Sequence, residues 1–339
     1  MNRIGIIGAG AWGTALATVM HRAGRQVVVQ CHEPEVAEAI NLTHENSLYL
    51  PGISLDSGIQ ATTDLADVAE ADAVLLVAPA QHLRTICEKI APAWKAGVPA
   101  VICAKGIEQD TCALMSEVVA ATLPEARVTV LSGPTFATEV ARDLPTAVTL
   151  ACGDVELAER LMAALGTPLF RIYRSADLIG AQVGGAVKNV LAIACGIVTG
   201  RGLGENARAA LITRGLAEIV RLGAAKGGQA ETLAGLCGLG DITLTCNNMR
   251  SRNFSLGVEL GRGRTLVEIL AARTSVAEGV YTASSVTDLA GRLDVDMPIC
   301  VAIDKVLHHF ADIDSTIAEL LARPFKAEAP VGRAAEAAS

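Results

Sequence analysis

No histidine lies between His82 and His308. Any chemistry in that long middle of the chain must do without the side chain most often used to move protons near neutral pH. A CxxC pair is missing too. The nine cysteines (31, 87, 103, 112, 152, 195, 237, 246 and 300) are scattered, and no Cys or His cluster has zinc-ligand spacing. Most lie in apolar stretches where a thiol acts as a small hydrophobe, which reads as a reduced, cytosolic protein with no metal. Basic clusters are also absent: 28 Lys and Arg against 36 Asp and Glu give a net charge of −8. That leaves no electrostatic footprint for nucleic acid or an anionic membrane, and points to a small-molecule partner. Nor is a targeting segment visible, because Met1-Asn2-Arg3 runs straight into an apolar strand that Gly5, Gly8 and Gly10 keep from resembling a signal peptide.

What is present is a large apolar fraction. With 339 residues, 51% of them hydrophobic, the chain can bury the cores of two domains. Residues 4–7 are a short apolar strand, followed by Gly8-Ala9-Gly10-Ala11-Trp12-Gly13 and then a helical pattern over 14–20. In a strand, turn and helix the GxGxxG spacing has a mechanism. Gly8 permits the tight turn, Gly10 lets a pyrophosphate approach the backbone, and Gly13 lets the helix pack close to the strand. The helix N-terminus then faces the phosphates.

A second strand at 26–30 runs into Cys31-His32-Glu33-Pro34. An NAD-selective site usually places a carboxylate at this tip, against the adenine ribose. Glu33 is close enough, but it also suits the acidic N-terminal end of a helix over 34–40, and the sequence does not separate these readings. His32, with Arg22 and Arg25 nearby in sequence, leaves room for a 2′-phosphate. With no acid at the tip itself, NADPH is expected to be accepted at least as well as NADH.

Strands and helices then alternate: 73–77, 81–90, 100–103, 112–121, 128–131, 146–151, 155–165 and 169–172. Such a pattern implies a Rossmann-type doubly wound parallel sheet covered on both faces, with ligands beyond the carboxyl ends of its strands. Three of those ends carry suggestive residues: Ala78-Pro79, Ala104-Lys105-Gly106, and Ser132-Gly133-Pro134-Thr135-Phe136-Ala137. From about Asp177 the strands stop and helices are expected over 177–199, 206–226, 251–261, 266–272, 278–293 and 298–310. The domains are therefore 1–176, a dinucleotide-binding α/β domain, and 177–322, an all-helical substrate domain. Residues 323–339, rich in Ala, Glu and Pro without periodicity, read as a disordered tail.

The helix over 177–199 is apolar nearly all round, yet carries Lys188 and Asn189 at its centre. A membrane span does not fit, because the pair splits the run after three glycines. A snorkelling lysine is the plain alternative. Chemistry is the other: burial draws a lysine pKa down toward working pH, and its ammonium can polarise a ketone and deliver a proton while a hydride arrives on carbon. Two further segments belong to this domain, a glycine-rich turn over 235–241 that ends in Asp241, and Arg250-Ser251-Arg252-Asn253, where Ser251 suits an N-cap.

Together these blocks resemble the bacterial NAD(P)-dependent glycerol-3-phosphate dehydrogenases. The resemblance rests on the glycine turn with Thr14-Ala15-Leu16, Lys105-Gly106-Ile107-Glu108, the block from Ser132 to Ala137, Gly184-Gly185-Ala186-Val187-Lys188-Asn189, Leu211-Ile212-Thr213-Arg214-Gly215-Leu216, Gly238-Leu239-Gly240-Asp241, Ser251-Arg252-Asn253 and Glu278-Gly279-Val280, all in the family's order. It implies reversible reduction of dihydroxyacetone phosphate to sn-glycerol 3-phosphate with NADP or NAD, supplying phospholipid synthesis in the cytoplasm. It also implies Lys188 as the proton acceptor, with Lys105, Gly133, Thr135, Asp241, Ser251, Arg252 and Asn253 around the substrate. Cofactor positions carried over are Gly8, Gly10, Ala11, Trp12, Gly13, His32, Lys105, Ala137, Arg252, Val276 and Glu278. The family usually has serine where this chain has Ala11, so a hydroxyl contact to the cofactor is lost. A homodimer is compatible with the sequence, which does not fix the assembly. The competing readings are a lysine-dependent relative such as the hydroxyisobutyrate or phosphogluconate dehydrogenases, and a nucleotide-binding regulator without chemistry.

Overall fold

The structure is a computed structural model that describes residues 1–273 and 277–324. The chain forms two compact units, one from Met1–Lys105 with Ala113–Leu178, the other from Gly106–Cys112 with the chain from Ile179 onward.

The first unit is built on one eight-stranded sheet: β1 (Arg3–Ile7), β2 (Gln26–Gln30), β3 (Ile59–Thr62), β4 (Ala73–Leu76), β5 (Pro99–Ile102), β6 (Arg127–Ser132), β7 (Thr146–Ala151) and β8 (Phe170–Ser175), in the spatial order β3-β2-β1-β4-β5-β6-β7-β8. The order steps outward from β1 in both directions, which is the doubly wound arrangement. Alternate residues of each strand feed one core: Ile4, Ile6, Val27, Val29, Leu75 and Val101 pack with Leu16, Val19 and Met20 of the helix Ala11–Arg22.

One expectation needs correction. The sheet is not wholly parallel, since β7 runs antiparallel to β6, with Ser132 opposite Thr149. The connection over residues 133–145 returns the chain at the edge where β6 ends, and an apolar run reads the same in either direction. The helix expected from residue 112 begins instead at Met115, because Cys112 sits at φ 59°, outside the right-handed helical region.

The second unit is helical, and its spine is Leu178–Gly200. That helix is long and apolar enough to cross a membrane, but it is mostly buried as the core of the unit. Glu205–Lys226, Arg252–Gly261, Glu278–Arg292 and Pro298–His308 follow the sequence pattern to within two residues at each end. The Gly106–Cys112 segment belongs here: Gln109 donates to Ser284 Oγ (3.2 Å), and Arg292 donates to the carbonyls of Asp110 and Thr111.

The spine and Arg252–Gly261 lie backbone to backbone. A Cβ at Gly196 would sit 2.1 Å from the Phe254 carbonyl oxygen, and one at Gly257 would sit 2.1 Å from that of Ile193. Only hydrogen fits at either place, so these glycines set the spacing of the two helices. Gly196→Ala must push them apart. It is expected to cost about 1–3 kcal/mol in denaturant unfolding and to lower activity, whereas Gly263→Ala, with open space around it but strained at φ 93°, should affect stability alone.

Candidate active site

The carboxyl ends of β1, β4, β5 and β6 lie along one edge of the sheet, since these strands are parallel neighbours. At the end of β1, Gly8 turns at φ 105° and its N–H donates to the Gln30 carbonyl (3.0 Å). A Cβ on Gly13 would sit 1.9 Å from the Gly8 oxygen, so the helix Ala11–Arg22 starts as close to the strand as glycine allows. Gly10 caps that helix with no side-chain hydrogen bond, and nothing lies within 4 Å of where its Cβ would be. Open space before an uncapped helix N-terminus fits a dinucleotide pyrophosphate. Ala11 opens the first turn, so the serine hydroxyl is missing there while the main chain of the turn is intact. Trp12 packs on the core, and its indole Nε1 is buried with no hydrogen-bond partner among the described residues.

Further along the edge, Lys105 Nζ donates to the Gly133 carbonyl (2.9 Å), and Thr135 Oγ1 approaches the same oxygen at 3.4 Å. Three residues expected at the substrate thus meet at one carbonyl. Ala137 starts the short helix Ala137–Ala141 just beyond them. At the end of β2, His32 is exposed. Arg22 and Arg25 are engaged with main-chain carbonyls. Arg22 donates to the carbonyls of Val140 and Ala141, and Arg25 to those of Ala163 and Ala164, where cations satisfy the orphan acceptors at helix ends.

In the second unit, Lys188 is 7% exposed, which excludes a snorkelling head in open water. Its Nζ donates to Asp241 Oδ1 at 2.5 Å and to Thr245 Oγ1 at 2.9 Å. Thr245 in turn donates to Asp241 Oδ1 (3.2 Å). Asp241 is fully buried, so each charge is tolerable only because the other is beside it. The glycine-rich segment that delivers Asp241 is not a loop. It is a π-helical turn, Leu236–Gly240, continued by the helix Asp241–Thr245, and π-turns often occur at functional sites. The segment reaches the spine because Gly184, one turn before Lys188, has no Cβ: one would lie 2.5 Å from the Cys237 carbonyl oxygen.

Beside this pair, the helix Arg252–Gly261 begins level with the next residue of the spine. Asn253 Nδ2 donates to Asn189 Oδ1 (2.9 Å), and Asn253 Oδ1 accepts from the Gly279 N–H (3.0 Å), tying three helices together. Ser251 is the N-cap, its Oγ accepting from the Phe254 N–H (3.2 Å). Arg252 is exposed by area, yet crowding protein desolvates its guanidinium and holds its pKa below the usual value, against the opposing pull of the Glu278 carboxylate. It stays charged. Val276, expected at the cofactor, lies outside the described residues.

The sequence reading missed Thr245 and Asn189 as members of the site. Thr245 had a signal, since it stands four residues after Asp241 on the same helical face.

A model of the NAD-dependent glycerol-3-phosphate dehydrogenase N-terminus matches residues 3–158, and one of its C-terminus matches residues 177–318. The chain belongs to the NAD-dependent glycerol-3-phosphate dehydrogenase family. The glycerol-3-phosphate dehydrogenase [NAD(P)+] of Rhodospirillum rubrum is 60% identical over 97% of this chain and 94% of its own. That of Parvibaculum lavamentivorans is 56% identical over 96% and 98%. Among solved structures, glycerol-3-phosphate dehydrogenase from Coxiella burnetii superposes with a TM-score of 0.92 at 39% identity, covering 95% of this chain and 99% of its own.

Proposed function

We propose that this protein catalyses the reversible NAD(P)H-dependent reduction of dihydroxyacetone phosphate to sn-glycerol 3-phosphate. The observation that carries the proposal is the buried Lys188–Asp241–Thr245 cluster beside a helix N-terminus that presents an arginine. Gly8, Gly10, Ala11, Trp12, Gly13, His32 and Ala137, with Lys105, Arg252, Val276 and Glu278, hold the cofactor. When bound, it supplies the hydride that reaches the carbonyl carbon. Lys188 donates a hydrogen bond to the ketone oxygen, stabilises the growing alkoxide and passes it the Nζ proton; in the reverse direction the neutral amine takes the proton back. Asp241 and Thr245 hold the amine in place. Lys105, Gly133, Thr135, Ser251 and Asn253 are further candidate substrate contacts.

A phosphate dianion suits a guanidinium combined with the free amides of a first helical turn. Arg252→Ala is therefore expected to raise KM for dihydroxyacetone phosphate at least about tenfold, the loss of a charge-assisted contact. Unchanged constants for both substrate and cofactor would remove Arg252 from the site.

The proposal is tested by purified protein with dihydroxyacetone phosphate, hydroxyisobutyrate and 6-phosphogluconate in turn. Turnover confined to the first supports it; turnover of another substrate, or nucleotide binding with no turnover, overturns it. We place the enzyme in the cytoplasm, in keeping with nine free and buried thiols. We propose a homodimer as its assembly, to be read from sedimentation velocity, and phospholipid synthesis as the use of its product.

A further inference from the structure

The helix Arg252–Gly261 is held on two faces. Toward the spine it is fixed by the Asn253 bond to Asn189 and by the close approach at Gly257. Residues 252, 255 and 259 follow the i, i+3, i+7 spacing of another face, and one side chain engages all three. Arg273 Nη1 donates to the Arg252 carbonyl at 2.7 Å, and its Nη2 donates to Ser255 Oγ (3.2 Å) and Glu259 Oε1 (3.1 Å). Ser255 donates in turn to the Arg252 carbonyl (3.2 Å), which closes a ring through both terminal nitrogens of the guanidinium. The Arg273 side chain is only 16% exposed, so these bonds are sheltered from water. Glu259 pairs with Arg264 as well, and two arginines on one carboxylate leave this face one positive charge in excess. The shortest of the three Arg273 bonds falls on the main chain of the residue that presents its own guanidinium at the helix start. Because the Arg252 side chain is long and exposed by area, the reach of its head is set by where its Cα is held.

We propose that Arg273 is a positioning residue for recognition of the substrate phosphate: by gripping the Arg252 carbonyl from the outer face of the helix, it holds the first turn and the Arg252 guanidinium ready for the dianion. The inference rests on the proposed role of Arg252 at that phosphate. Its physical basis is preorganisation. A turn already fixed has less freedom to lose when the phosphate arrives, and the saving appears as affinity. The planar fork matters as much as the charge, since a lysine ammonium on a flexible stem cannot hold a carbonyl, a hydroxyl and a carboxylate in one rigid arrangement.

The test is steady-state kinetics with dihydroxyacetone phosphate at saturating cofactor on the wild type, Arg273→Ala, Arg273→Lys, Arg252→Ala and Arg252→Ala/Arg273→Ala, each shown folded by circular dichroism. Arg273→Ala should raise KM about three- to tenfold and leave kcat within about twofold, because the Lys188 contacts are made by other residues. In the Arg252→Ala background the same change should alter kcat/KM by less than about twofold, since a residue that acts through Arg252 has nothing left to act on. A side chain that only supports the fold would cost the same factor in both backgrounds. Equal losses therefore overturn the inference, and so does a parental KM in Arg273→Ala. Arg273→Lys keeps the charge and loses the fork, so it should recover only part of the KM; full recovery would give the effect to charge alone and overturn the positioning role. Should Arg273→Ala not fold, the same cycle run with Arg273→Lys decides. Failure of the underlying reading shows separately, as no turnover of dihydroxyacetone phosphate by the wild type or a parental KM in Arg252→Ala, and either result removes the inference with it.

Discussion

Lys188→Met should lose ~10²–10⁴-fold in turnover of dihydroxyacetone phosphate, the range that general acid and base work supplies. Methionine follows the same packed path as the lysine stem, so the spine should keep its fold. It also removes the ammonium from beside Asp241, which leaves that carboxylate buried and unneutralised at neutral pH. Some stability is therefore lost, and circular dichroism under the assay conditions must show the variant folded. Cofactor binding should persist, because the glycine turn lies in the other unit. Turnover within a few-fold of the parent, in a folded variant that binds nucleotide, would exclude Lys188 from the proton step and leave Lys105 as the next donor to consider.

Asp241→Ala should be the most destabilising single change in the site. It strips a buried ammonium of its counter-charge, which costs roughly 3–5 kcal/mol where one partner of a buried pair is removed. Denaturant unfolding measures this directly. Turnover should fall as well, since Nζ would lose the carboxylate that holds it while the Thr245 contact remains. The double variant Lys188→Met/Asp241→Leu separates the two roles. With neither charge left to bury, it should recover much of the lost stability while remaining inactive. If the double variant is no more stable than Asp241→Ala, the charge imbalance is not the source of the damage.

How much of this was legible in the sequence depended on whether a feature is local. The strand, glycine turn and helix from Arg3 to Arg22 could be read because the signal is contiguous, and β7 and the helix Val155–Leu165 fell where periodicity put them. Lys188 stood out because a charge in an apolar helix is a local anomaly. β3 was missed: it is a four-residue edge strand with only Ile59 buried, too little apolar alternation to register. The direction of β7 is a property of its partner and not of its own residues. Asp241 and Thr245 lie 53 and 57 residues from Lys188, so no period links them. Arg22 and Arg25 were near β2 in sequence but were drawn to helix ends more than a hundred residues away.

The contact between the spine and the helix Arg252–Gly261 has a bearing on substrate choice. Because the two backbones touch at Gly196 and Gly257, the spacing between the helix that carries Lys188 and the helix whose start carries Arg252 is set by main chain and not by the size of intervening side chains. Under the proposed roles, one helix holds the reacting oxygen and the other the phosphate. The pair then acts as a fixed gauge of molecular length. A ketone phosphate with one more methylene between carbonyl and phosphate is expected to be a poorer substrate, because side chains alone would have to take up the added length while the backbones keep their spacing.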